Sequence, residues 1–239
     1  MSSVKILHPE AEAALKPPDD APLAARLKYF INLVDGRYED LRRGDWRLNV
    51  LRDFMVIRAL KPDVLFITCA HARAAPDLLG QSDAGEFFIC CNIGNIVPPF
   101  GEFPDDVSSS IEYALAMSVR SIVVVGHSDC AAMEALLNPE GLASMASASK
   151  WLRHAQEAAA FVAQNFPHTW GDEPLRAVTE KNVLVQMDHL RTHPSVAARL
   201  SSGQLELQGW VYNHAAAEIA VWNPVERRFL PWGETRGLQ

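Results

Sequence analysis

Apolar and polar positions along the chain change period several times, and each change marks an element. Residues 1–22 are polar, acidic and proline-containing and read as an arm. Leu23, Leu27, Phe30, Ile31 and Val34 then recur three and four apart, which predicts an amphipathic helix. A charged stretch, 37–44, interrupts that pattern, and 46–60 resumes it as a second helical stretch. Short apolar runs follow. Residues 63–69 (DVLFITC) and 87–91 (FFICC) read as buried strands, and 121–126 (SIVVVG) as a β-branched strand ending at a glycine. Helical spacing is expected over 107–117, from about 130 to 137, over the alanine-rich 148–165 as one long helix, and over 175–191. A new segment begins at His193-Pro194, alternation returns over 205–212 and 217–223, and a last short strand follows at 228–231.

Strands separated by helices predict an α/β fold, a mostly parallel β-sheet flanked by helices. The expected division falls near residue 45, with an N-terminal arm and helix over 1–45 and an α/β domain over 46–239. No internal repeat or low-complexity tract is present.

Composition narrows the function. About half of the 239 residues are hydrophobic, enough for a sizeable core, yet no apolar run approaches the roughly 18 residues of a membrane span. The formal charge of −7 and the lack of a basic run argue against a nucleic-acid partner. The N-terminus has no basic start followed by an apolar block, so no secretory signal is expected. Four cysteines, Cys69, Cys90, Cys91 and Cys130, are too few for a disulfide scaffold. A cytoplasmic location with free thiols is therefore expected.

Two segments carry candidate chemistry. Cys69-Ala70-His71-Ala72-Arg73 directly follows one predicted strand, and Gly126-His127-Ser128-Asp129-Cys130 follows another. Parallel sheets place their ligand crevice at the carboxyl ends of strands. Zinc favours thiolate and imidazole, and a catalytic site keeps three protein ligands and one open position. Cys69, His127 and Cys130 supply such a set. The alternative for a His-x-x-Cys taken alone is a buried cysteine beside a hydrogen-bonded histidine. Cys90 and Cys91, adjacent in a strand, should face opposite sides. Asp129 reads as a solvated turn residue, and Asn92 and Asn95 as residues that fix loop backbone. His154, His168, His189, His193 and His214 share no metal-ligand spacing and receive no chemistry.

The runs FITCAHAR, GEFFICCNIGNIVPP and SIVVVGHSDCAAM resemble, in order and spacing, the β-class carbonic anhydrase family, in particular a bacterial branch found beside cyanate-degrading enzymes. SKWLRHAQEA, LRTHPSVAARLSSG and LELQGWVYN extend the resemblance over about residues 23–232. It implies zinc on Cys69, His127 and Cys130, reversible hydration of carbon dioxide to bicarbonate by zinc-bound hydroxide, and an N-terminal arm embracing a second subunit of a homodimer or larger homo-oligomer.

The chain departs from the family pattern where the chemistry lies. His71 stands at the motif aspartate, which in the family pairs with the arginine matched by Arg73 and accepts a hydrogen bond from the reacting water. Ala72 replaces a serine, Cys91 an arginine and Ala131 a glycine, so Ala72, Cys91 and Ala131 are candidate pocket residues. Three roles are open to His71: a fourth zinc ligand, a base or proton shuttle standing off the metal, or a polar side chain at the pocket edge. Two functions compete with carbon dioxide hydration: zinc hydrolysis of carbonyl sulfide or carbon disulfide, and a catalytically inactive zinc-stabilised dimer.

Overall fold

The computed structural model describes residues 62–71, 87–101, 105–166 and 172–234. The predicted arm and both N-terminal helices, with the boundary near 45, lie outside these residues, as do Ala72 and Arg73.

Among the described residues the centre is a six-stranded sheet in the order β2-β1-β3-β4-β5-β6, formed by β1 (Val64–Cys69), β2 (Phe87–Asn92), β3 (Ser121–His127), β4 (Glu206–Asn213), β5 (Glu218–Asn223) and β6 (Arg228–Pro231). β2, β1, β3 and β4 run parallel, whereas β5 and β6 continue antiparallel. The helices are α1 (Asp106–Ala116), α2 (Ala131–Leu137), α3 (Ala146–Leu152), α4 (Gln156–Asn165), α5 (Asp172–Thr192) and α6 (Pro194–Ser201). None of them is long and apolar enough to cross a membrane.

The central strands β1 and β3 are buried nearly throughout, as strands covered on both faces must be. Leu65, Ile67, Ile122 and Val124 meet Ile111 of α1 and Val183, Met187 and Leu190 of α5 in the main core. Phe66, Val123 and Val125 form a smaller cluster on the opposite face with Phe87 and Trp210. Residues i and i+2 share a face, so this division follows directly from the pleat.

α5 lies close against the sheet because two strand positions lack a side chain. A Cβ at Gly209 would stand 2.7 Å from Met187 Sδ and 2.8 Å from Val183 Cγ1, and one at Gly126 2.9 Å from Val183 Cγ2. Gly209→Ala should therefore overpack this seam and destabilise the fold by about 1–3 kcal/mol. Chemical denaturation checks this, and an unchanged midpoint would contradict it.

One predicted element divides. The stretch expected as a single helix over 148–165 is α3 and α4 joined by a 3₁₀ turn, Arg153–Ala155. The break has tertiary partners. Trp151 donates its indole N–H to Ile93 O at 2.9 Å, and His154 O accepts from Gln186 Nε2 at 3.1 Å. Alanine-rich periodicity carries no sign of such partners.

Candidate metal centre

β1 and β3 are neighbours in the sheet, so their carboxyl ends lie side by side. Cys69 is the last residue of β1 and His127 the last of β3. The chain then turns through Asp129, at φ 55°, and Cys130 caps α2. Aspartate tolerates that left-handed conformation better than most residues, and it is exposed here as a turn residue should be. Strand alternation alone would assign Cys69 to the face of Ile67 and His127 to that of Val125. At the sheet's edge their side chains nevertheless converge. One sulfur from each cysteine and one ring nitrogen of His127 lie within 4.8 Å of one another, and all three residues are buried.

The donor set fits zinc. The sulfurs of Cys69 and Cys130 are 4.0 Å apart. Two bonds of about 2.3 Å at a tetrahedral zinc would set them about 3.8 Å apart. His127 Nδ1 is 2.7 Å from Ser128 O, and because a carbonyl only accepts, Nδ1 carries the proton and donates it. Its other nitrogen, Nε2, is buried without a hydrogen-bond partner, as a ligand atom facing a metal would be.

Thiolate at Cys69 is favoured by its surroundings. The Cys130 thiol above all, then the His127 ring and the N–H groups of Gly94 and His71, hold the Cys69 thiol well below the usual range, against the opposing effect of burial. Cys130 is pushed up by sharing its proton with Cys69 and by burial, while the N–H groups of Met133 and Ala132 at the start of α2 oppose this. The two sulfurs stand at hydrogen-bond distance, with Cys130 Sγ donating to Cys69 Sγ. A divalent cation in the proton's place lets both ionise.

A loop between β2 and α1 closes one side of the centre. Asn92 clamps it, donating from Nδ2 to Ile96 O at 2.9 Å and accepting from Ile96 N at 2.7 Å. Gly94 N–H then donates to Cys69 Sγ at 3.3 Å. Sequence reading overlooked what holds this loop from behind. Asn182, Gln186, His189 and His193 stand at i, i+4, i+7 and i+11, a single stripe along α5 and its end. Asn182 Nδ2 donates to Gly94 O at 3.0 Å, and Gln186 Oε1 accepts from Val97 N at 2.8 Å. His189 Nδ1 lies 2.7 Å from Val97 O and His193 Nε2 3.0 Å from Pro98 O. A buried polar stripe at helical spacing was the available signal. Two of its members, His189 and His193, match no metal-ligand spacing, so spacing gives them no role.

His214, for which the sequence predicts no chemistry, has its Nε2 3.3 Å from His127 Nδ1, and its backbone N–H donates to Ser128 Oγ at 3.0 Å. It sits in the turn between β4 and β5, 87 residues from its partner, where no local spacing could betray it.

His71 is exposed, with its ring centroid 6.0 Å from that of His127, and it is not among the three converging ligand residues. Cys90 is buried and its thiol is raised to about 11 by desolvation, whereas Cys91 faces out and is exposed, so the adjacent pair divides as expected. Ala131 opens α2 on an exposed face.

Residues 64–219 match the family model described as carbonic anhydrase. A carbonic anhydrase of Pseudomonas aeruginosa is 43% identical over 72% of this chain and 79% of its own length. Carbonic anhydrase 1 of Escherichia coli O157:H7 is 40% identical over 71% of this chain and 78% of its own. Among solved structures, the β-carbonic anhydrase CcaA superposes with a TM-score of 0.77 at 31% identity, covering 85% of this chain and 92% of that one. These relatives do not single out the branch beside cyanate-degrading enzymes.

Proposed function

The chain belongs to the β-class carbonic anhydrase family, enzymes that use zinc to hydrate carbon dioxide reversibly to bicarbonate, and from this premise we propose that Cys69, His127 and Cys130 are its zinc ligands. The observation that carries the assignment is the convergence of two buried sulfurs with a buried, unpartnered Nε2 at adjacent strand ends. Zinc held there supplies the Lewis acidity that brings the ionisation of a water near neutral pH and so furnishes the nucleophile for carbon dioxide.

The chain's own residues prepare that position. Ser128 O fixes the His127 tautomer, so Nε2 is the free nitrogen. Gly94 N–H and the first turn of α2 stabilise the two thiolates. His71 is exposed beside the ligand group, its ring centroid 6.0 Å from that of His127, and Arg73 follows it in the motif. These two are the proposed catalytic residues beside the metal. A neutral imidazole at His71 can accept a hydrogen bond from the attacking water with one nitrogen only, where a carboxylate offers two oxygens. Cys91, Ala72 and Ala131 are the proposed pocket residues. The readings as a carbonyl sulfide hydrolase or an inactive dimer gain no support from the relatives.

Stopped-flow hydration of carbon dioxide tests the function. The zinc-loaded protein should accelerate it, chelation should abolish the acceleration, and one equivalent of zinc per chain should restore it. Activity that survives complete removal of zinc would overturn the reading.

The proposal extends to a cytoplasmic homodimer or larger homo-oligomer, in which the apolar face of the 23–34 segment finds its partner. Light scattering at micromolar concentration should give at least twice the 26.4 kDa chain mass, and a monodisperse monomer would refute it.

A further inference from the structure

The hydrogen bond on Cys69 is one end of a longer chain of donors. The Gly94 N–H that reaches Cys69 Sγ at 3.3 Å belongs to the peptide unit joining Ile93 and Gly94. The carbonyl of that same unit, Ile93 O, accepts the indole N–H of Trp151 at 2.9 Å. An amide whose oxygen receives a hydrogen bond becomes a stronger donor at its nitrogen, because both interactions draw on the same resonance form. The following carbonyl, Gly94 O, is gripped by Asn182 Nδ2 at 3.0 Å, and Asn182 Oδ1 is held in turn by Gln186 Nε2 at 2.8 Å. Asn182 and Gln186 are fully buried, so Gly94 is fixed on both sides of its α-carbon.

We propose that Trp151 is a positioning residue for the metal centre, acting through the Ile93–Gly94 peptide to strengthen the N–H···S bond that tunes the Cys69 thiolate, with Asn182 and Gln186 holding that peptide in line. The proposal rests on Cys69 being a zinc ligand. It gives the split between α3 and α4 a function, since the turn after Leu152 lets α3 end with its tryptophan over the loop. Trp151 is half-buried and packs against both the main core and the cluster around the centre, so its ring also contributes ordinary packing. The test must separate the ring from its N–H.

Cobalt(II) in place of zinc makes the separation possible. A thiolate bound to cobalt gives a sulfur-to-metal charge-transfer band whose energy rises as hydrogen bonding withdraws electron density from sulfur. Trp151→Phe keeps an aromatic ring and removes the donor, so the band should move to longer wavelength. β-(3-Benzothienyl)alanine at position 151 keeps the bicyclic shape, lacks the N–H, and should give the same shift if phenylalanine fails to fold. Asn182→Leu should move the band in the same direction by loosening Gly94. If the unsubstituted cobalt protein shows no thiolate band, the assignment of Cys69 as ligand fails, and the proposal with it. If that band is present, weakens in a Cys69→Ser protein and yet remains unmoved in the benzothienyl protein, the ligand assignment stands and the role of Trp151 is overturned.

Discussion

Replacement of His127 by alanine is expected to cost the protein its zinc and, with it, almost all acceleration of carbon dioxide hydration. His127 brings the one nitrogen of the converging set and is itself buried, with Nε2 free of other partners. Its removal leaves two sulfurs 4.0 Å apart with no third protein donor among the converging residues. Two thiolates facing each other without a well-held cation repel, so one proton returns to the pair, and the proton competes with any metal. Losing a single hydrogen-bond donor to a transition state costs about 10²–10³-fold, and losing the ion that furnishes the nucleophile should cost well beyond that. The measurement is metal content beside initial hydration rate, with Ser128→Ala as a comparison that keeps the carbonyl acceptor for Nδ1. A His127→Ala protein that retains one zinc and ordinary turnover would show that the ligand set is wrongly assigned.

His71→Asp should act in the opposite direction, raising the hydration rate at neutral pH by at least about tenfold. In the family that the chain belongs to, an aspartate in this motif is held by the motif arginine and accepts the hydrogen bond that orients the attacking water. Here an imidazole stands there, exposed, with its ring centroid 6.0 Å from that of His127. Neutral imidazole has one acceptor nitrogen, which must both be the unprotonated one and point at the water. A positioned hydrogen-bonding group at a reacting centre is worth about 10²–10³-fold, and recovering even part of it gives the tenfold threshold. Ala72, Cys91 and Ala131 depart from the family pattern together with His71, which is why the full factor is not expected from one substitution. The assay compares the two proteins at matched zinc content. A slower aspartate variant, or an unsubstituted chain already as fast as its relatives, would remove the argument about His71.

Much of this protein was written locally in its sequence. The strands read at DVLFITC and SIVVVG are legible because buried parallel strands carry continuous apolar runs, and the sheet contains both, the second running one residue past its glycine to His127. The two cysteines and the histidine are legible because Cys69 and His127 end such strands and Cys130 follows three residues on, and the carboxyl edge of a parallel sheet is where ligands gather. The split of Cys90 from Cys91 follows from the two-residue period of a strand.

What surrounds the ligands was decided only in three dimensions. By alternation Cys69 and His127 belong to opposite faces, and they meet because both are terminal residues of neighbouring strands, beyond the last ladder pair that would hold them apart. Trp151 reaches Ile93 across 58 residues, Asn182 reaches Gly94 across 88, and His214 reaches His127 across 87. Periodicity reports which face of an element is buried, but it cannot report what a buried polar atom will find there. Hydrogen bonds between distant segments leave no spacing in the chain, so only the packing of α3 and α5 against the sheet and its loops discloses them.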